Sequence, residues 1–164
     1  MRLGSITIVL AGLASSCASS SAAVHEPEAA SIEIGTGTWR FEPLVDGQEI
    51  PLVHGAQGGW HFWLALRAHG IPDDAGSLTF ERQPADESAA PTTTSVGVHF
   101  DPEDAEGGRN YLGWPEILGS PGCAVGVLTR VHATLTLADG RTLEDEVFVT
   151  PTPGDFPPPS CGAP

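Results

Sequence analysis

A two-residue alternation of apolar and polar side chains recurs along this 164-residue chain. It is clearest at residues 60–69, where the even-numbered positions carry Trp, Phe, Leu, Leu and Ala, and it returns at 96–100 and 125–137. Successive side chains of a β-strand point to opposite faces, so this period predicts strands with one face in a core. No segment after residue 30 shows the 3.6-residue stripe of an amphipathic helix. The pattern therefore predicts an all-β domain.

Turn signals and further strand-like segments indicate how the domain is built. Strands are expected at 77–83, 110–114 and 143–150, and the dipeptides Asp46-Gly47 and Asp139-Gly140 are typical of hairpin turns. About seven short strands separated by turns indicate a two-sheet antiparallel sandwich of immunoglobulin-like type. A small β-barrel is the alternative, whereas the absence of strand–helix alternation argues against a parallel-sheet enzyme fold.

In the first predicted strand, the alternation of apolar and polar residues changes phase partway along. Ile32 and Ile34 fall on one parity, whereas Trp39 and Phe41 fall on the other. The intervening segment 35–37 (Gly-Thr-Gly) can supply a bulge or a bend, because glycine tolerates the backbone angles that these features need. We therefore expect an interrupted strand here.

The N-terminus has the organisation of an export signal. An arginine at position 2 is followed by a largely apolar run at 3–13 and then by small residues. A run of about eleven residues is too short for a helix that crosses a bilayer, which needs about 20. Its length suits the apolar region of a signal peptide, which we place at residues 1–16.

The stretch from Leu13 to Cys17 (Leu-Ala-Ser-Ser-Cys) resembles the lipobox of bacterial lipoproteins. The resemblance implies cleavage before Cys17, a diacylglyceryl thioether on its sulfur and anchoring to a membrane. The family usually has Leu where this chain has Ala14. Ala18 stands where an Asp would mark inner-membrane retention, so the resemblance implies the outer membrane. The alternative is ordinary secretion or a periplasmic location after cleavage behind Ala23, where small residues have the required spacing.

The remaining chain divides into a tether and one domain. Residues 17–30 are small and polar and cannot bury enough apolar surface to fold, so we expect a lipid-anchored flexible tether. Residues 31–164 form the predicted domain, with a Pro-rich C-terminal tail. Of the three cysteines, Cys17 takes the lipid, and we expect Cys123 and Cys161 to form a disulfide in an oxidising compartment.

The charge of the chain restricts its partners. The formal net charge is −14 and the isoelectric point is near 4.5. Such a surface repels phosphate backbones, so we expect no nucleic-acid partner. The membrane, through the lipid, and a protein or carbohydrate are the partners that the sequence leaves open.

One candidate binding face follows from the strand parity. Trp63 lies on the outward parity of its strand, and a second strand turns its own polar side chains out. If the two strands are neighbours in one sheet, an exposed tryptophan and two arginines share a surface suited to an anionic or sugar-like ligand. The six residues predicted for this face are His61, Trp63, Arg67, His69, Arg130 and His132.

Metal binding is the alternative function. The five histidines of the predicted domain lack the local spacing of a zinc site, but they can converge in space. The acidic segment 101–106 carries four carboxylates, which calcium sites use, although its spacing differs from that of an EF-hand. The sequence leaves the metal unknown and assigns no cofactor. The histidines in question are His54, His61, His69, His99 and His132.

Catalysis has little support in the sequence. The Gly-rich segment 53–61 leads into a strand rather than a helix, so it predicts a tight loop and not a phosphate site. No serine lies in the nucleophile elbow of the α/β-hydrolases. The stretch 42–67 is loosely similar to uncharacterised lipoproteins of GC-rich bacteria, which implies no activity. We therefore expect a non-enzymatic binding or structural module of the cell envelope.

Overall fold

The computed structural model describes residues 29–162, which fold almost entirely into strands. The elements in chain order are β1 (Ser31–Thr36), β2 (Glu42–Pro43), β3 (Gln48–Pro51), β4 (Val53–His54), β5 (Trp60–His69), β6 (Ala75–Pro84), β7 (Thr92–His99), β8 (Gly108–Leu118), α1 (Pro121–Ala124), β9 (Thr129–Leu137) and β10 (Thr142–Thr152).

The strands form two sheets. In sheet A, β5 pairs with β8 along one side, and β1 and β4 pair with the two halves of its other side, with β2 beyond β1. Sheet B has the order β3-β10-β9-β6-β7. Each long inner strand has neighbours on both sides, which satisfies its backbone polar groups.

The core lies between the two sheets, as the alternation predicts. Phe62, Leu64 and Leu66 of β5 are fully buried, and they face a set that includes Leu78 and Phe80 of β6. The predicted all-β sandwich is confirmed. One of the two sheets is strongly curled, which gives the molecule a feature of the small barrel as well.

The two predicted hairpin turns differ in what they connect. Asp139-Gly140 joins β9 to β10 as an antiparallel hairpin, as expected. Asp46-Gly47 instead leads the chain from sheet A to sheet B, where β3 pairs with β10 in parallel. The Asp46 carboxylate accepts a hydrogen bond of 2.9 Å from the backbone N–H of Phe148. The prediction of a purely antiparallel arrangement was therefore wrong at this one pair.

The strand predicted over 125–137 begins only at Thr129. The residues before it follow the four-residue helix α1 in a turn, where Gly126 has a positive φ of 74° and its N–H donates to the Pro151 carbonyl of β10 at 2.8 Å. The disulfide between Cys123 and Cys161 is present, as predicted.

Two polar contacts join the sheets at their margins. The backbone N–H of Ile34 in β1 donates to the carboxylate of Asp145 in β10 at 2.7 Å. Arg82 of β6 pairs with Glu116 of β8 at 3.0 Å, and Glu116 is only 3% exposed. Each contact satisfies a buried polar group that would otherwise be costly.

The predicted signal peptide and Cys17 lie outside the described residues, as does most of the tether. Among residues 29–162, no helix has the length and the apolar character needed to cross a membrane.

Candidate binding groove

The acidic segment 101–106 is held in place by its own carboxylate at Asp104. That carboxylate accepts backbone N–H groups from Glu106 at 2.9 Å and Gly108 at 3.0 Å. It also accepts the Asn110 amide at 3.0 Å and the Arg67 guanidinium at 2.6 Å. These hydrogen bonds, led by the one from Gly108, hold the pKa of Asp104 well below its usual range.

Arg67 connects this segment to the outer face of sheet A. Its guanidinium contacts Glu106 at 2.9 Å and the Asn110 side-chain oxygen at 3.1 Å, besides Asp104. The Phe41 ring lies 4.8 Å from its Cζ atom, in a cation–π contact. Two of the four carboxylates predicted as possible calcium ligands, Asp104 and Glu106, are thus engaged by an arginine instead.

The segment after β1 crosses the outer face of β5. β1 and β8 pair with opposite sides of β5, yet the Gly37 carbonyl accepts the N–H of Gly113 in β8 at 3.0 Å. Thr36 also donates its hydroxyl to the Trp63 carbonyl at 2.7 Å. This crossing explains why Ala65 is fully buried although its parity points outward.

A bulge in β8 receives the crossing segment. The β5–β8 register shifts between Leu64 and Leu66, and Gly113 in the bulge has a positive φ of 71°. Gly37 has a φ of 110°, and a side chain there would collide with the Arg40 carbonyl oxygen. The segment is therefore a tight turn that glycine alone fits well.

The turn places Trp39 in solvent. Its side chain is 94% exposed, the highest value among the large exposed apolar side chains of the described chain. Trp39 and Phe41 were predicted as strand residues of one parity. This was wrong, because both lie in the turn between β1 and β2 and neither is part of a strand. Phe41 packs over Arg67, whereas Trp39 points away from the sheet surface.

A groove of about 390 Å³ lies beside Trp39. The turn forms one wall, β8 forms the floor, and the end of β7 with the residues after it forms the other wall. The backbone N–H of Asp101 donates to the Asn110 carbonyl at 2.8 Å and fixes the far wall to the floor. The lining residues are Thr38, Trp39, His99, Asp101, Asn110, Tyr111 and Leu112.

The groove combines one aromatic surface with several polar groups. Asp101 supplies a carboxylate and His99 an imidazole, whereas the Asn110 carboxamide is already bonded to Arg67 and Asp104. Tyr111 packs against the core, and this burial raises the pKa of its phenol. The arrangement can stack a flat apolar surface against Trp39 and hydrogen-bond to its polar edge.

The binding face predicted from strand parity is not formed. Trp63 and Arg67 belong to β5 in sheet A, whereas Arg130 belongs to β9 in sheet B. Outward residues of the two sheets of a sandwich point in opposite directions, so they cannot share one surface. Of the six residues, His61, Trp63, Arg67 and His69 lie on sheet A, and Arg130 and His132 lie on sheet B.

The sheet A members of that face are also less accessible than predicted. Trp63 is half-buried, and its ring meets His61 edge-on with the centroids 4.4 Å apart. His61 is 9% exposed, and burial lowers its pKa, which favours the neutral imidazole. Its Nε2 atom has no hydrogen-bond partner within residues 29–162.

The sheet B members are paired with carboxylates. Arg130 contacts Glu81 at 2.6 Å and Glu146 at 3.2 Å. His132 lies 3.9 Å from Glu144. These pairs neutralise the basic side chains, so this surface has no local positive patch of the kind expected.

The histidines do not converge. His99 lines the groove, whereas His54 packs against Trp60 with the ring centroids 4.6 Å apart. In the part of the chain that the structure covers, no group of three or more His, Cys, Asp or Glu side chains is arranged to hold a metal ion.

The Gly-rich segment forms the tight loop that the sequence predicts. Gly55 donates to the Gly59 carbonyl and Gly58 donates to the Gly55 carbonyl, each at 2.9 Å. The loop joins β4 to β5, and at its end the Trp60 indole donates to the Phe156 carbonyl at 3.1 Å. Its backbone amides thus close a hairpin.

Two further clefts present fewer side chains that are free to bind a ligand. The first, of about 440 Å³, is lined by Arg82, whose charge is balanced by Glu116. The second, of about 430 Å³, lies between Trp60 and the disulfide, and Trp60 is already hydrogen-bonded to the C-terminal tail. Neither cleft presents a fully exposed aromatic ring.

Sequence reasoning missed Trp39 as a surface residue. The available signal was the Gly-Thr-Gly segment before it, which suggested a bend but not its direction. Comparison with known protein families, curated proteins and solved structures gave no match for the chain.

Proposed function

We propose that this protein is an exported lipoprotein whose β-sandwich is a non-enzymatic binding module at the outer membrane. Its ligand binds in the groove beside Trp39. One observation carries the proposal: a turn that is hydrogen-bonded to β8 holds Trp39 94% exposed beside a polar groove. Exposed tryptophans that are not needed for packing are enriched at binding sites.

The anchor is supported by the sequence from Leu13 to Cys17 and by the position of the first strand. β1 begins at Ser31, so the residues between Cys17 and the sandwich can act as a spacer. A flexible chain of this length has a root-mean-square reach of about 20 Å. That distance clears the headgroup layer and leaves the groove accessible.

The groove chemistry supports binding without turnover. Asp104 and Glu106 are committed to Arg67, which leaves Asp101 as the carboxylate among the groove's lining residues. Hydrolases that use a carboxylate as general acid or base usually pair it with a second carboxylate in the same site. Asp101 is the one carboxylate among the residues that line the groove, which suits recognition better than turnover.

The anchor is tested by labelling cells with a clickable palmitate analogue. We expect the full-length chain to incorporate the label and to fractionate with the outer membrane. Cys17→Ser removes the thioether position and should abolish labelling. An unlabelled wild-type chain that is cleaved behind Ala23 would contradict the lipid anchor and favour plain secretion.

The groove is tested with the lipoprotein purified in detergent and mixed with peptidoglycan and other envelope fragments from which the lipid has been extracted, so that the anchor itself cannot hold the protein in the pellet. Trp39→Ala should weaken co-sedimentation at least about tenfold, as for a binding hot spot. Ile117→Ala is the matched control, because Ile117 is 67% exposed on β8 but does not line the groove. Equal co-sedimentation of wild type and Trp39→Ala would reject the groove as the binding site.

A further inference from the structure

We infer that the ligand of the Trp39 groove is a neutral carbohydrate chain. This inference rests on the proposed function, and it names the chemical class that the groove recognises. Four properties of the groove lead to it: the exposed indole, the polar rim, the charge of the surroundings and the open shape.

The indole of Trp39 can form a stacking platform. The face of an aromatic ring carries partial negative charge, and one face of a pyranose ring presents several C–H bonds with partial positive charge. The turn that begins at Gly37 fixes the backbone that carries the indole, since the Gly37 carbonyl accepts a hydrogen bond from Gly113 of β8 at 3.0 Å. A fixed backbone limits the entropy lost on binding to that of the side chain.

The rim of the groove suits hydroxyl groups. Each sugar hydroxyl can donate one hydrogen bond and accept two, so it needs both kinds of partner close together. Asp101 accepts and His99 can do either, so both kinds of partner line the groove. Asn110 is held by Arg67 at 3.1 Å and by Asp104 at 3.0 Å, which orients the floor before the ligand arrives.

The charge distribution favours a neutral chain. The protein carries a net charge of −14, and the groove itself contains Asp101. The two arginines that belong to or contact the segment from Gly37 to Phe41 are paired with carboxylates: Arg40 with Glu42 at 2.8 Å, and Arg67 with Asp104. Arg109 of β8 makes no ion pair within residues 29–162, but it does not line the groove. An acidic polysaccharide would therefore be repelled, while a neutral one would not.

The surroundings of Trp39 argue against a protein partner. Protein interfaces centre on aromatic anchors that are surrounded by apolar, desolvated contacts. Here most of the residues that line the groove with the indole are polar, Leu112 being the aliphatic one, and the groove is open to solvent. A chain of sugar rings can pass through such a groove, with one ring stacked on Trp39.

The experiment titrates the detergent-purified lipoprotein with named hexasaccharides and follows tryptophan fluorescence. The neutral probes are cellohexaose, laminarihexaose, maltohexaose, xylohexaose, mannohexaose and chitohexaose, and the acidic probe is hexagalacturonate. We expect a fluorescence change with at least one neutral probe and none with hexagalacturonate. Affinity should fall at least about tenfold in Trp39→Ala, less in Trp39→Phe, and stay unchanged in Ile117→Ala. Preference for hexagalacturonate, or neutral binding that Trp39→Ala leaves intact, would overturn the inference.

A second measurement separates failure of this inference from failure of the proposed function. Before co-sedimentation the envelope fragments are treated either with proteinase K or with periodate and lysozyme together. Periodate cleaves sugars that have vicinal diols, and lysozyme cuts the peptidoglycan glycan, which lacks them. Loss of Trp39-dependent binding after periodate and lysozyme, but not after proteinase K, supports a carbohydrate. Loss after proteinase alone, with no hexasaccharide bound, overturns the carbohydrate but keeps the groove as a protein-binding site. If Trp39→Ala leaves co-sedimentation unchanged under every treatment, both the carbohydrate inference and the groove as a binding site are rejected.

Discussion

At the scale of single residues, Arg67 determines how the charged side chains near the groove are paired. Its guanidinium is shared among Asp104, Glu106 and Asn110, and Phe41 covers one of its faces. An arginine used in this way positions β8 and the acidic segment instead of attracting an anion. The basic and acidic side chains that looked like two separate ligand sites in the sequence are one structural network.

Asp104 gives this network a pH dependence. Hydrogen bonds depress its pKa in the folded state, whereas the pKa of an unfolded aspartate is about 3.9. A depressed carboxyl pKa contributes stability that is fully present above the unfolded value and is lost as pH falls toward the folded value. The contribution of Asp104 should therefore disappear on the acid side of about pH 4.

Asp104→Asn should lower the melting temperature at pH 7, and the difference from wild type should shrink in melts between pH 4 and pH 2. Glu103→Gln is the matched control, since it removes one negative charge from the same segment and Glu103 makes no hydrogen bond in the network. Its melting temperature should stay closer to that of wild type. Equal effects of the two substitutions would mean that net charge, and not the hydrogen bonds of Asp104, sets the stability.

At the scale of elements, the segment from Gly37 to Phe41 links three strands. It leaves β1, crosses β5 and meets the bulge of β8 before the chain returns to pair as β2. The crossing buries Ala65 and holds Trp39 outside. Local backbone geometry thus creates the groove wall.

Gly37→Ala should destabilise the domain by about 1–3 kcal/mol, because it forces a side chain into a positive-φ turn against the Arg40 carbonyl. Urea denaturation followed by circular dichroism measures the change. The same variant, while folded, should bind envelope fragments more weakly because Trp39 is displaced.

Gly97→Ala is the control for this substitution. Gly97 lies in β7, and an added methyl group there would meet nothing within 4 Å. Its effect on the free energy of unfolding should stay within about 0.5 kcal/mol, as for ordinary surface positions. A Gly37→Ala variant as stable as Gly97→Ala would show that the turn tolerates a side chain.

At the scale of the whole molecule, the disulfide ties the C-terminal tail to the sandwich. Cys123 in α1 and Cys161 are 38 residues apart in sequence. Between them the tail packs against the β4–β5 end, where Phe156 accepts the Trp60 indole hydrogen bond. Its prolines lack the N–H groups that a strand ladder needs, so the covalent link takes the place of sheet pairing.

Replacing both cysteines with serine should lower the free energy of unfolding by about 4 kcal/mol, the chain-entropy value for a loop of 38 residues. Urea denaturation of the double variant and of the oxidised wild type measures the difference. Envelope binding should persist at 25 °C, because no residue of the Trp39 groove belongs to the disulfide region. Unchanged stability would mean that tail packing alone holds the C-terminus.

The strands were predictable because burial imposes a period on each of them separately. The alternation in β5, β6, β9 and β10 follows directly from one face lying in the core, and the Asp139-Gly140 hairpin follows from turn chemistry. The start of β9 and the parallel pairing of β3 were missed. Both involve contacts with a distant part of the chain, since the turn before β9 and the strand β3 each bond to β10.

The sequence by itself determined the all-β class, the pairing of Cys123 with Cys161 and the acidic charge of the protein, because period, cysteine number and composition are local or summed properties. Tertiary structure alone decided which surfaces exist. Strand parity tells which side chains point outward but not which sheet they leave, so Trp63 and Arg130 were placed together although β5 and β9 lie in different sheets. The exposure of Trp39 likewise depends on a turn crossing β5 to reach Gly113, a contact between residues 76 positions apart in sequence that no local pattern encodes.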